Sequence, residues 1–178
     1  AVYDFEKLKW MTSQYIKEMN NSQLLENLKP FILETGLVNE VYINQNRETM
    51  LGIVKALKPR LSLLTDVKEE IKIFFADEFQ LEEAARECME WETTPAVFDA
   101  FIEVLEEMGA FNKQNFMQGV KEIQKRSNAK GKKLYMPLSV GITGQAHGVE
   151  MEYILTILTK EQMLKRLKAA RQLIAARA

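Results

Sequence analysis

The chain has 178 residues, 47% of them hydrophobic and 28% charged, with a net charge of −1, the balance of a soluble globular protein of one ordinary domain or two small ones. No apolar run approaches the roughly 18 residues a membrane span needs, and the opening A-V-Y-D-F-E-K-L-K-W has no signal-peptide core and no initiating methionine, as a piece of a longer chain would. One cysteine, Cys88, excludes an internal disulfide and any multi-cysteine zinc site, and reads as a small buried hydrophobe in a reducing, cytoplasmic setting.

In chain order, Phe5, Leu8, Met11, Thr12, Tyr15, Ile16 and Met19 recur at three- and four-residue steps and predict an amphipathic helix over 5–19. Asn20-Asn21-Ser22 breaks it, with Ser22 as the cap of the next helix. Pro30 marks a kink within that helix, and Gly36 ends it. A further helix follows Asn44–Asn46 on Met50, Ile53, Val54 and Leu57, until Lys58-Pro59-Arg60 interrupts it. Asp66 with Glu69 three residues on is a capping-box arrangement, opening a helix whose core face is Val67, Ile71, Phe74 and Phe75.

The acidic stretch Q-L-E-E-A-A-R-E-C-M-E-W is helical by propensity, with Leu81, Ala84, Ala85, Cys88 and Trp91 on its apolar face. Thr93-Thr94-Pro95 predicts a cap followed by proline at the first helical position, for a helix through Val97, Phe98, Phe101, Ile102 and Leu105 to Gly109. Residues 112–127 read as another helix, with Phe116, Val120 and Ile123 inward. Residues 130–150, K-G-K-K-L-Y-M-P-L-S-V-G-I-T-G-Q-A-H-G-V-E, hold four of the eight glycines and the sole histidine, His147, and lack a clean apolar period. They read as a long helix–helix connection with a short turn of helix inside, the kind of segment where recognition sits. A short helix over 150–158 and a last one from Lys160 follow, the latter capped by Thr159 with Gln162 and facing inward through Leu164, Leu167, Ala170, Leu173 and Ile174. No alternating strand is visible. The expected fold is all-α, with about eight to ten helices in two helical subdomains, residues 1–75 and 76–178.

The near-zero net charge conceals an asymmetry. Residues 66–107 carry 3 basic and 14 acidic side chains, a net −11, whereas residues 108–178 carry 13 basic and 4 acidic, a net +9. That pattern suits either a polyanion drawn to the last third or helix faces of opposite sign packed on each other.

Catalytic chemistry is hard to assemble from these residues. There is no phosphate loop of the G-x-x-x-x-G-K-[ST] type and no strand followed by G-x-G-x-x-G. The carboxylate pairs Glu82-Glu83 and Glu106-Glu107 occupy adjacent helix positions, which point about 100° apart and do not converge.

The run K-G-K-K-L-Y-M-P-L-S-V-G-I-T-G-Q-A-H-G-V-E-M-E resembles the L-K-G-K-K-L-F-M-P-L-R-x-x-L-T-G-x-x-x-G-P-x-L pattern of the C-terminal part of bacterial-type glutamyl-tRNA synthetases, class I aminoacyl-tRNA synthetases. The opening F-E-K-L-K-W-M-T-S-Q-Y-I-K-E is similar to the segment that follows the catalytic domain in that family, and L-K-P-R at 57–60 and T-T-P-A-V-F-D-A at 93–100 fall between in the expected order. The resemblance covers essentially the whole chain. It implies an all-helical region that grips the anticodon loop of tRNA(Glu), with no DNA or membrane partner. ATP and magnesium would belong to a catalytic domain upstream, whose histidine pair and lysine-methionine-serine-lysine loop are not among these residues. By itself, this chain would then have no catalytic, cofactor or metal residues.

The resemblance implies a set of RNA-binding residues. Lys130, Lys132 and Lys133 would hold phosphates. Thr143, Gly144 and Gly148 would let backbone approach a base closely, with Gln145 and His147 supplying hydrogen bonds. Arg60, after Pro59 in the K-P-R step, carries the family's role at the third anticodon base, where its guanidinium donates to cytosine acceptors. Two positions depart from the pattern: Ser139 stands where the family commonly has arginine, and Val149 where it has proline. A second reading, independent of the resemblance, is a helical protein-interaction scaffold that docks through its acidic middle third.

Overall fold

The computed structural model describes residues 4–76 and 80–176, and is all-α among them. Asp77, Glu78 and Arg177, which enter the charge sums above, lie outside the described residues. The chain divides into two compact units, Ala1–Ala76 and Asp77–Ala178.

Unit 1 begins with α1 (Phe5–Glu18), whose first turn is capped by Asp4 accepting from the Lys7 amide. Helix α2 (Asn21–Glu34) is the centre of the unit, burying Leu24, Leu25, Leu28 and Ile32. Its cap is Asn20, not Ser22: the Asn20 side chain accepts from the Gln23 amide and the Gln23 side chain accepts from the Asn20 amide. The reciprocal pair requires a partner three residues on, and only Asn20 has a glutamine there. Pro30 lies inside α2, and the helix continues past it to Glu34. A short helix that the periodicity did not reveal, α3 (Glu40–Gln45), is capped by Asn39. Then α4 (Arg47–Leu57) lays Met50, Ile53, Val54 and Leu57 against α2.

After α4 the chain tightens into a 3-10 turn, Lys58–Arg60, and a second one, Leu64–Asp66, before two single-turn helices, α5 (Val67–Glu70) and α6 (Lys72–Phe75). Asp66 does not form the expected capping box. Its carboxylate turns back to accept from the amides of Ser62 and Leu63, closing the preceding loop instead. Val67, Ile71 and Phe74 are buried as the pattern predicts, while Phe75 is half-buried with its ring edge-on to Tyr42.

Unit 2 is built around α8 (Thr94–Glu107), which buries Val97, Phe98, Phe101, Val104 and Leu105. Against it pack α9 (Phe116–Ser127), α10 (Lys132–Thr143) and α12 (Lys160–Ala175), with α7 (Glu83–Met89) on α10 and α11 (Met151–Ile157) leading into α12. The start of α8 differs from expectation. Pro95 is the second helical residue, and the Thr93 hydroxyl makes no cap and is buried without a partner. Thr94 instead donates its hydroxyl to the Cys88 carbonyl at 2.5 Å, tying α7 to α8. Cys88 is buried beside it, and burial pushes its thiol up to about 11, which leaves it inert.

Helix α12 is capped by the Thr159–Gln162 box as its sequence predicts. Its buried positions are Met163, Leu167 and Ala170; Leu173, expected inward, is exposed. The acidic face of α8 is met by basic side chains from its neighbours. Arg126 of α9 pairs with Glu103 and Glu107, Lys168 of α12 with Glu106, and Arg171 of α12 with Asp99. Part of the charge asymmetry is therefore neutralised inside unit 2.

Candidate nucleic-acid interface

Residues 130–150 are not a long connection. Lys132–Thr143 form a three-turn helix, α10, with Gly131 as its N-cap and Gly144 as its C-cap. The pattern hid it because Pro137 and Gly141 sit within it. Pro137 is buried among the core residues Leu134, Leu138, Val140 and Ile142. Gly141 lacks a side chain because a Cβ there would come within 2.7 Å of Leu167 and 2.9 Å of Phe98. The small residue lets α10 lie close on α8 and α12, where an interior glycine otherwise costs helix stability.

Helical geometry places the predicted site residues of this stretch in order. Lys132, Tyr135, Ser139 and Thr143 recur at steps of three and four residues, so they share one face of α10. Tyr135 is 49% exposed on it. The ammonium of Lys132 lies 5.5 Å from the ring centroid of Trp91, a cation–π contact that steadies the lysine next to an aromatic surface. Lys130, Lys132 and Lys133 are all exposed, clustered where the chain enters α10.

The far end of that face is organised by hydroxyls. Ser139 donates to the Gln145 carbonyl at 3.1 Å, Thr143 donates to the Ser139 carbonyl at 2.8 Å, and the Gln145 amide donates to the Thr143 hydroxyl at 3.1 Å. These bonds fold the Gly144–Gln145 turn back onto the helix. Gly144 has φ +74, and its carbonyl accepts from the Glu82 amide at 2.9 Å. A Cβ at this position would lie 1.9 Å from the Gln80 carbonyl oxygen, so the close backbone approach at Gly144 is made by the protein's own chain. Gln145 and Gly148 are half-buried and His147 is exposed. Arg166 of α12 is half-buried and donates to the Ile142 carbonyl at 3.1 Å, satisfying the end of α10.

The two remaining predicted residues belong to unit 1. Pro59 is exposed in the 3-10 turn after α4, and its ring has no amide to leave unsatisfied there. Arg60 follows it with Nε 2.5 Å from the Glu70 carboxylate, both side chains about a quarter exposed, at 25% and 23%. Lys58 of the same turn donates to the Met19 carbonyl at 2.5 Å. The basic residues of the K-P-R step are thus half-buried and bonded within unit 1, whereas Lys130, Lys132 and Lys133 are exposed.

Tyr135 is a surface feature that the sequence left unremarked beside the lysines, and Trp91, expected on the apolar face of a helix, lies past the end of α7, half-buried, next to the Lys132 ammonium. The signal for Tyr135 was its spacing, three residues after Lys132 and four before Ser139, which is informative only once the stretch is known to be helical. Among the described residues no three His, Cys, Asp or Glu side chains converge as a metal site requires, and no helix is long and apolar enough to cross a membrane.

A family model of the anticodon binding domain matches residues 23–171. Among curated proteins, the glutamate–tRNA ligase of Bacillus licheniformis is 35% identical over 94% of this chain and 34% of its own length. That of Bacillus subtilis is 33% identical over 94% of this chain and 35% of its own length. A solved glutamate tRNA ligase from Elizabethkingia meningosepticum superposes with a TM-score of 0.76 at 21% identity, covering 95% of this chain and 32% of that one, a likeness of fold. The chain spans about a third of the length of these relatives. With a match that runs through most of both units, it belongs to the anticodon-binding domain family and is homologous to the C-terminal anticodon-binding region of glutamyl-tRNA synthetases.

Proposed function

We propose that this chain binds the anticodon loop of a glutamate tRNA in the cytoplasm, for a longer protein that ligates glutamate to that tRNA with ATP and magnesium. The observation that carries the reading is the face of α10. Three exposed lysines enter it, an exposed tyrosine stands in the middle, and a hydrogen-bonded turn with Gln145 and His147 closes it. Unstacked anticodon bases are read by such a combination of aromatic faces and polar edges, while lysines hold the backbone. Chemistry would reside in the two thirds of the relatives that this chain does not match.

The roles divide by residue. Lys130, Lys132 and Lys133 engage phosphates. Gln145 and His147 offer polar groups to bases, and Ser139, Thr143, Gly144 and Gly148 hold the turn that presents them. In unit 1, Pro59 and Arg60 address the third anticodon base, with Glu70 fixing the direction of the guanidinium. The protein-scaffold alternative loses ground because Glu103, Glu106, Glu107 and Asp99 already meet basic partners within unit 2.

Binding of a transcript with a glutamate anticodon, titrated against salt, tests the reading. Three lysine–phosphate contacts predict a slope of log K against log salt of about −2 to −3; affinity unchanged between low and physiological salt would sink the idea. The chain alone is expected to give no glutamate-dependent exchange of pyrophosphate into ATP, and exchange above background would place catalytic groups within it.

A further inference from the structure

Helix α9 uses its two sides differently. Gly119, Val120 and Ile123 are buried and fix its rotation against α8. Arg126 turns to the acidic face of α8 and pairs with Glu103 and Glu107. Lys121 and Lys125, two positions either side of Ile123, lie on the far side of the helix and are exposed. From residue 108 onward most basic side chains have partners. Lys113, Arg126, Lys168 and Arg171 meet acids, and Lys160 and Arg166 meet main-chain carbonyls. Among the described residues, Lys121, Lys125, Lys130 and Lys133 have neither.

Lys121 and Lys125 stand four residues apart, where like charges oppose a helix. A cation in the last turn is explained by the helix dipole, and Lys125 and Arg126 occupy that turn. Lys121 lies a full turn earlier, beyond that effect. A local conflict that the fold leaves uncompensated points to a use outside the fold. We infer that Lys121 and Lys125 hold phosphates of the paired RNA stem that carries the bound loop. They would extend onto α9 the track that begins at Lys130, Lys132 and Lys133, an inference that rests on the function proposed above. Continuity favours this occupant, because only a short turn separates the end of α9 at Ser127 from the start of α10 at Lys132. Span favours it too: Lys121 lies about 9 Å before the end of α9, too far from Lys130 for one phosphate to serve both. The chemistry of the face selects stem over loop. Its exposed neighbours Met117, Gln118 and Asn128 offer no ring to an unstacked base, whereas α10 carries Tyr135. Bases of a duplex stay stacked, and a protein meets them through phosphate and sugar.

Two RNAs separate stem from loop: a hairpin with a glutamate anticodon in its loop, and a single strand of the loop sequence alone. Binding of each to the 178-residue chain is followed by fluorescence anisotropy at several salt concentrations. Lys121→Gln with Lys125→Gln should weaken the hairpin by about tenfold and flatten its salt slope by about 2 units, while the single strand loses less than about twofold. Lys121→Arg with Lys125→Arg keeps both charges and should hold the hairpin at wild-type affinity. Lys165, exposed on α12 and also without an acid partner among the described residues, is the control, and Lys165→Gln should leave both RNAs unchanged. The double glutamine variant should melt at or slightly above the wild-type temperature, since it removes a like-charge pair. Unchanged hairpin affinity in that variant overturns the inference. So does an equal loss for both RNAs, which would put the two lysines at the loop, or an equal loss from Lys165→Gln, which would reduce them to a diffuse field. Hairpins with glutamate and unrelated anticodons are compared in parallel. If they bind alike, the anticodon reading falls, while a hairpin-selective loss in the α9 variant keeps the stem contact.

Discussion

The K-P-R turn of unit 1 and the entry to α10 in unit 2 are both short basic segments at a helix boundary, and the fold uses them in opposite ways. In the turn, Lys58 holds the end of α1 and Arg60 holds Glu70. At α10, Lys130, Lys132 and Lys133 stay exposed, and the burden of holding the segment falls on Gly144, Ser139 and Thr143. Positive charge in sequence is therefore a poor guide to a binding surface until its partners are known. The same lesson applies to α8 and α12, where Lys168 meets Glu106 and Arg171 meets Asp99.

Breaking the α10 side of this contrast should have the largest effect. Gly144→Ala puts a Cβ 1.9 Å from the Gln80 carbonyl at φ +74. Left-handed backbone and a clash with main chain together should cost about 3 kcal/mol or more, read as a fall in the urea midpoint. Wild-type stability in this variant would mean that the turn is not held against residue 80.

Arg60→Ala sharpens the other side. Removing the guanidinium leaves Glu70 without this partner in a largely covered site, for a stability loss of about 1 kcal/mol. If Arg60 also reads a base, affinity for the glutamate transcript should drop by about 1–3 kcal/mol and the gap to a glutamine anticodon should narrow. A changed melting temperature with an unchanged affinity ratio would restrict Arg60 to the ion pair.

Lys133→Ala should weaken both transcripts alike, reduce the salt slope by about one unit, and leave melting untouched, as an exposed phosphate contact does. A selective loss for one anticodon would instead give Lys133 a base to read.

The smallest effect concerns pH. Hydrogen bonding from Lys29 holds the Glu40 carboxyl below its usual 4.5, and Arg126 does the same to Glu107. Carboxylates depressed in the folded state contribute stability that is fully present above the unfolded value and is lost as pH falls through the folded one. Melting temperature should thus decline slightly below about pH 4.5, and Glu107→Gln should flatten part of that decline. An identical acid limb in the variant would show that the Arg126 pair is screened by solvent, as exposed pairs often are.

The sequence by itself determined most of the helices of both units, because their apolar positions repeat at the helical period and bury where that period points: Leu24 and Leu28 in α2, Met50 and Val54 in α4, Phe98 and Phe101 in α8. It determined the Thr159 cap, whose two partners lie within three residues. The ordered motifs also carried the family, since four segments in register are specific where one is not. Local signals failed where a choice among neighbours depended on more distant groups. Asn20 outcompeted Ser22 through Gln23, and Asp66 served the loop before it instead of the helix after it. Only the tertiary structure could decide that α10 is a helix at all, because its proline is covered by core and its glycine is needed for α8 and α12 to approach. It alone decided which charges are spent within the fold, and that α1, amphipathic by pattern, buries Ile16 alone of its described apolar residues. A sequence period states that a face is apolar; what covers it is settled by packing across the chain.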